Sequence, residues 1–229
     1  MDLDSMQRIL EQSLAENKPI WEIVLEEDME NRMVTREASM EKMRKTWRAM
    51  VDSADAYSGE RRSLSGLVGG DGEKMRLYYA THESIGGSFT AEVMASALAM
   101  GENNACMKRI VAAPTAGSCG VMPAVLIPLW RKEGIPEEMM LQALYVTCAI
   151  GSVIAARASI SGAAGGCQAE VGSASAMSAA AMAFMAPMTL RLTQGTSTRP
   201  ATGSHTRPRR FFRAMATAVQ ICSPVPPWR

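Results

Sequence analysis

The chain has 229 residues, of which 47% are hydrophobic and 21% charged, and its formal net charge at pH 7 is +1; this length is enough for one sizeable core. The acidic, amphipathic start does not resemble a secretory signal, and Arg157 with several small residues interrupts the most apolar stretch, residues 144–159, which argues against a membrane span. Because five cysteines occur without an export signal, we expect a cytoplasmic protein whose thiols stay reduced.

Helical periodicity dominates the first 56 residues. In residues 3–16 the apolar side chains recur at a spacing that places them on one helix face: Leu3, Met6, Ile9, Leu10 and Leu14. Pro19 marks a break, and the helical pattern then continues over residues 20–56 as one long helix or two. We interpret the methionines of this region as packing residues.

Two glycine-containing turns follow. The first, around Gly69, Gly70 and Gly72, lacks the GxxxxGK[ST] spacing of a phosphate loop and has no strand before it, so we interpret it as a turn that precedes a helix. The second, SIGGSF, precedes a predicted helix over residues 90–100 with Thr90 as its N-cap.

The second half of the chain is also predicted to be helical. Pro114 ends a short apolar run, and a loop of small residues at 115–120 leads into a helix over residues 121–132. The amides that begin this helix could hold a carboxylate, and a turn without a ligand is the alternative. Pro136 begins another helix, and the small-residue segment 169–185 a further one. The fold class is therefore mainly α.

Two loops, PTAGSCG and SGAAGGCQAE, each present a cysteine among small residues, Cys119 and Cys167. Glycine allows backbone amides to approach a ligand closely. A Cys–His hydrolase would need His82 or His205, and paired spacings for a closed zinc site are absent. A Schiff-base enzyme would need a lysine such as Lys108, which nothing marks out. From spacing alone, metal binding through Cys167 stays open.

Three stretches together resemble one known family. SGLVGGDGEKMRLYYA, ALAMGENNACMKRIVAAPTAGSCGVMPAVL and ASISGAAGGCQAEVGSASAM are similar, in this order and spacing, to the alpha chain of bacterial iron–sulfur-dependent L-serine dehydratase, also called L-serine ammonia-lyase. The resemblance runs from residue 1 to about residue 182. The motif APTAGSCG followed by GGCQAEVG carries it most specifically.

The resemblance implies a helical catalytic domain and a four-iron four-sulfur cluster held by three cysteines. The open iron would act as a Lewis acid on the β-hydroxyl of L-serine, and the products would be pyruvate and ammonia. Cys167 matches the first cluster ligand. The proton-abstracting group is expected in a beta chain, which makes L-serine and a beta chain the implied partners. The residues implied in binding the substrate are Thr115, Ala116, Gly117, Ser118, Ser161 and Gly162.

The C-terminal region departs from that family. Residues 1–186 contain all 23 Asp and Glu against 17 Lys and Arg, a net charge of −6, whereas residues 187–229 contain seven Arg and no acid, a net charge of +7. The two further cysteine motifs of the family are missing, so the domain would be incomplete at its C-terminus. We interpret the sequence from about Ala183 as a shifted reading frame and expect residues 187–229 to be a disordered basic tail.

Several alternatives stay open at this point. Cys222 or Cys119 could replace a missing ligand, although neither has the expected neighbours, and Cys106 and Cys148 are expected in helix cores. The basic tail has no ordered nucleic-acid motif, so no nucleic-acid partner is expected. The leading hypothesis is an alpha subunit whose cluster binding is impaired. The others are a non-catalytic remnant that binds a beta chain and a carboxylate-binding protein without a cluster.

Overall fold

The structure, a computed structural model, describes residues 4–193. These residues form helices and loops, and no strand occurs among them. The helices are α1 (Met6–Glu16), α2 (Ile20–Arg32), α3 (Arg36–Asp55), α4 (Asp71–Thr81), α5 (Gly87–Ala105), α6 (Val121–Glu133), α7 (Glu137–Arg157) and α8 (Gly162–Thr193), with a short 3₁₀ turn, Ala116–Ser118, before α6. The prediction of a mainly α fold is confirmed. The first residues of the expected basic tail, 187–193, are helical as the end of α8, and the rest of the tail, with His205 and Cys222, lies outside the described residues.

Helix α7 forms the centre of the core and packs against α8, α2 and α3. Eleven of its residues are buried, which is why its sequence is apolar on almost every side. By length and composition alone α7 could cross a membrane, contrary to our expectation that no segment would. Protein atoms bury 61% of its most apolar window, as in the core helix of a globular protein.

Helices α2 and α3 join this core through a polar contact as well as apolar packing. Tyr145 of α7 is 2% exposed, and its hydroxyl lies 2.7 Å from the Ser39 hydroxyl of α3. Ser39 in turn donates a hydrogen bond to Asp28 of α2. Trp47 of α3 meets Trp130 of α6 edge to face, with 5.5 Å between ring centroids. These contacts fix α2 and α3 against the other half of the core.

The structure decides between one helix and two for residues 20–56, and it corrects the predicted start of the helix at Thr90. Residues 20–56 form two helices, because Met33 adopts a left-handed conformation that ends α2 and Thr35 caps α3 by accepting a hydrogen bond from Ala38 N–H. Helix α5 begins at Gly87, three residues before the expected N-cap. Thr90 therefore lies inside the first turn, where its hydroxyl donates to the Gly86 carbonyl at 2.8 Å.

Candidate functional site

The two loops that carry the cysteine motifs come together in the structure. The 3₁₀ turn of the first loop contacts α8, and the side chain of Glu170 on α8 lies between the two loops. A β-carbon at Gly117 would lie 2.9 Å from the Glu170 carboxyl carbon, and one at Gly162 would lie 2.8 Å from its Oε2 atom. Any side chain at either glycine would collide with this carboxylate, so glycine permits the close approach.

The first loop has its own internal hydrogen bonds. Thr115 caps the 3₁₀ turn, and the Ser118 hydroxyl accepts a hydrogen bond from the Thr115 N–H at 3.4 Å and lies 3.2 Å from the Thr115 hydroxyl. Ser118 is buried, while Ala116 and Gly117 are exposed and Thr115 is half-buried. The exposed middle of the turn is therefore the part that a ligand could reach.

Three consecutive residues at the end of α5 hold the surroundings of this loop in place. Asn104 donates to the Ala116 carbonyl at 3.1 Å. Asn103 donates to the Ser53 carbonyl of α3 at 2.7 Å. Glu102, which is 6% exposed, accepts from the Asp71 N–H at 2.6 Å. Of these three side chains, Asn104 is the one that contacts the first loop directly, and the other two connect α5 to α3 and to the turn before α4.

The glycine turn before α4 is closed by the chain itself. Gly69 and Gly70 adopt positive φ angles of 139° and 84°, which a turn with glycine allows. The Glu102 carboxylate occupies the helix N-terminus by accepting from the N–H groups of Asp71 and Gly72. The amides that a phosphate would require are therefore already paired, which supports the interpretation as a structural turn.

Tyr57 completes the same cluster. Its hydroxyl donates to Glu102 Oε2 at 2.5 Å and accepts from the Glu73 N–H at 3.1 Å. Burial, together with the hydrogen bond to Glu102, raises the pKa of Tyr57 to about 12. The phenol is therefore neutral at physiological pH and acts as a donor to the carboxylate.

A cavity of about 460 Å³ lies beside this cluster, between α4, α5 and α6. Alanine side chains and other apolar groups form most of its walls, and two arginines also line it. Both are already paired, Arg76 with Glu73 at 2.6 Å and Arg131 with Asp55 at 2.6 Å. None of the predicted substrate-binding residues lines this cavity.

The second loop delivers Cys167 directly after a kink. Helix α8 is interrupted at Gly166, whose φ of 68° and ψ of −170° are not helical and suit glycine. Cys167 and Ser161 are exposed, and Gly162 is half-buried. The kink at Gly166 therefore places Cys167 at the surface, one turn of the helix before Glu170.

The other described cysteines differ from Cys167 in their surroundings. Cys119 is 2% exposed, and burial raises the pKa of its thiol. Cys106 is half-buried at the C-cap of α5. Both Cys106 and Cys148 were expected in helix cores, and both expectations are wrong, because Cys106 lies at a helix end and Cys148 is exposed. The protein atoms around the Cys148 thiol nevertheless desolvate it, and this effect, together with the Asp28 charge, raises its pKa to about 11.

The described residues do not by themselves fit an iron–sulfur cluster with three cysteine ligands. Within residues 4–193 no group of three His, Cys, Asp or Glu side chains is placed to hold a metal. Burial of Cys119 raises its pKa and so disfavours the thiolate form that a cluster ligand requires. Cys167 is exposed and lies on α8 three residues before Glu170, the side chain that contacts both loops.

His82 has no cysteine partner in the described part of the chain. Its ring stacks on Tyr78 with 4.2 Å between centroids, and its Nδ1 lies 3.0 Å from the Tyr78 carbonyl. The residue is exposed at the C-cap of α4, as expected for a surface histidine. Lys108 is exposed in the loop after α5. Neither residue supports the hydrolase or Schiff-base alternatives.

Comparison with known families decides the relationship of this chain. The family model described as "Serine dehydratase alpha chain" matches residues 15–197, which include both loops. The chain belongs to this family. The resemblance predicted from the APTAGSCG and GGCQAEVG motifs is thereby confirmed.

Two relatives show how much of a serine dehydratase alpha chain is present. A "Probable L-serine dehydratase, alpha chain" of Bacillus subtilis (strain 168) is 40% identical over 167 residues, 73% of this chain and 56% of that protein. The "L-serine dehydratase, alpha chain" of Peptoniphilus asaccharolyticus is 39% identical over 171 residues, 72% of this chain and 57% of that protein. The chain thus spans little more than half the length of these relatives. No solved structure matches it.

The sequence indicated the residues of the two loops but not the polar side chains at the end of α5. Thr115–Ser118 and Ser161, Gly162 and Cys167 were identified by motif, and the structure places both groups at one end of α8. Glu102 was missed. A signal existed, because an acidic residue in the last turn of a helix opposes the helix dipole and needs a local donor to offset it.

Proposed function

We propose that this chain forms part of the alpha subunit of an L-serine dehydratase, a lyase that converts L-serine to pyruvate and ammonia. The observation that carries the proposal is the convergence of the two family loops at Glu170 in a serine dehydratase alpha chain. The names of the two relatives, both L-serine dehydratase alpha chains, indicate L-serine as the substrate. The reaction removes the α-proton and the β-hydroxyl as water, and the resulting aminoacrylate hydrolyses to pyruvate and ammonia.

The residues of this chain would bind and orient the substrate. We assign Thr115, Ala116, Gly117 and Ser118 to the polar groups of L-serine, with Ser161 and Gly162 on the opposite side. The support is that these positions combine hydroxyls and exposed backbone at a short separation. The group that removes the α-proton would come from the beta chain. We place the assembled enzyme in the cytoplasm.

The cluster of the family defines a second part of the proposal. Cys167 would be one ligand, and a four-iron four-sulfur cluster would supply Lewis-acid chemistry when bound. Because the described residues lack a three-ligand group, we propose that this chain alone is impaired in binding the cluster. The same observation favours a second candidate function, a non-catalytic protein that binds a beta chain through its helical body.

An experiment with the full chain tests this proposal. The chain is produced with and without a serine dehydratase beta chain, reconstituted anaerobically with iron and sulfide, and assayed for bound iron and for pyruvate from L-serine. We expect the two chains to purify together, with iron far below a full cluster and no pyruvate. Failure to associate with the beta chain would contradict the subunit assignment. A full cluster with pyruvate formation would contradict the impairment.

A further inference from the structure

Glu170 of α8 contacts both loops. Its carboxylate lies against Gly117 of the first loop and Gly162 of the second. The two glycines are 45 positions apart in the sequence, and the nearest atom to each is the same carboxylate oxygen, Oε2 of Glu170. No other side chain is described in such close contact with both loops.

The carboxylate has no partner of its own. In the part of the chain that the structure describes, no hydrogen bond or ion pair reaches the Glu170 oxygens, although the side chain is half-buried. These oxygens are not fully enclosed by protein, so a small ligand with a positive charge can reach them from solvent. Glu170 therefore has unused acceptor capacity between the two loops.

Its charge is also distinctive. Residues 114–120 and 161–170 contain a single ionisable carboxylate, Glu170, and no Lys, Arg or His. Hydroxyls and backbone amides of the loops suit the carboxylate of an amino acid, but a cationic group requires an anion. The arrangement leaves one position where a positive charge would be favoured.

We infer that Glu170 is a substrate-positioning residue that binds the α-ammonium group of L-serine. This inference rests on the proposed function, since it assigns a role within the same site. Binding of the ammonium by Glu170 fixes one end of the amino acid, and the 3₁₀ turn of the first loop can then bind the carboxylate at the other end. The requirement for an ammonium group also makes the site selective for amino acids over hydroxy acids.

A purely structural role for Glu170 makes a different prediction. If the side chain only separated the loops, an isosteric amide would fill the same space and leave binding unchanged. Glu170→Gln retains the shape and removes the charge. Its effect must therefore depend on the charge of the ligand. L-Serine and glycerate form the matching pair, because glycerate has a hydroxyl in place of the ammonium.

The experiment measures the binding of both ligands by calorimetry to the full chain, as purified and after anaerobic reconstitution with iron and sulfide. In Glu170→Gln we expect the Kd for L-serine to rise ~10-fold, the loss of one charge-assisted hydrogen bond, and the Kd for glycerate to stay equal or fall. Glu60→Gln, an exposed residue with the same charge change, should alter neither value. Thermal unfolding followed by circular dichroism verifies that each variant is folded.

The possible results distinguish the role of Glu170 from the proposed function of the chain. If the unaltered chain binds L-serine and Glu170→Gln binds it equally well, the role of Glu170 is refuted and the proposed function stands. Equal weakening of both ligands would assign Glu170 to loop structure and overturn the inference. Absence of L-serine binding to the unaltered chain in both preparations would overturn the inference together with the proposed function.

Discussion

Replacement of Glu102 by alanine is expected to destabilise the protein strongly. The Glu102 carboxylate accepts from the Asp71 N–H at 2.6 Å, from the Tyr57 hydroxyl at 2.5 Å and, more weakly, from the Gly72 N–H at 3.4 Å. The substitution leaves the two strong donors without an acceptor. A buried polar group left unpaired costs about 1–3 kcal/mol. Because Tyr57 is half-buried and Asp71 exposed, water can reach the freed donors in part, so the free energy of unfolding should fall by roughly 2 kcal/mol, a sizeable share of the ~5–15 kcal/mol typical of a domain.

A conservative substitution separates the charge from the hydrogen bonds. Glu102→Gln keeps an oxygen for the α4 amides and loses the negative charge at the helix N-terminus, so a loss of about 1 kcal/mol is expected. Glu92→Ala is the control, because Glu92 is exposed on the same helix, and it should change stability by less than about 0.5 kcal/mol.

The assay is urea unfolding followed by circular dichroism at 222 nm, with the slope of the transition compared among the variants. A constant slope means that the midpoints report stability alone. Unfolding of Glu102→Ala at the same urea concentration as the unaltered chain would refute the stabilising role of Glu102. A larger effect of Glu102→Gln than of Glu102→Ala would refute it equally.

Three further substitutions or conditions test the same structure. The pKa of Tyr57 is raised to about 12 in the folded state, so stability should be full below pH 10 and fall between about pH 10 and 12, a loss that Tyr57→Phe should reduce in alkaline urea titrations. Gly166→Ala places a side chain at a φ of 68° and should lower stability by ~1–2 kcal/mol, measured by urea unfolding. Gly117→Ala displaces the flexible Glu170 side chain rather than backbone; calorimetry should show weaker L-serine binding with an unchanged unfolding midpoint.

Local sequence signals account for many helix limits. Asn17, Gly134 and Pro136 act at helix ends through the left-handed conformation or the fixed φ of proline, and the structure places each at a cap. The break at Met33 could not be predicted in this way, because methionine favours helix and its left-handed conformation is unusual. There, packing of α2 and α3 on the core overrides the local preference.

The sequence predicts which residues belong to the candidate site, but it does not predict how they are arranged in space. The motifs identified both loops and Cys167, because their small residues and glycines have a recognisable order. The contact of Glu170 with Gly117 and Gly162 depends on how α8 packs against the 3₁₀ turn, and spacing along the chain contains no information about it. The same holds for Glu102, whose partners are 30 and 45 residues away.

The central claim is that residues 1–182 form a working segment of a serine dehydratase alpha chain. It is tested most directly by joining these residues to the part of the Bacillus subtilis alpha chain that lies beyond the matched segment, and by assembling the chimera with the beta chain of that organism. After anaerobic reconstitution we predict pyruvate formation from L-serine, and none from the same chimera with Cys167→Ser. A folded chimera that binds the beta chain and forms no pyruvate, while the intact Bacillus subtilis pair does, would contradict the claim.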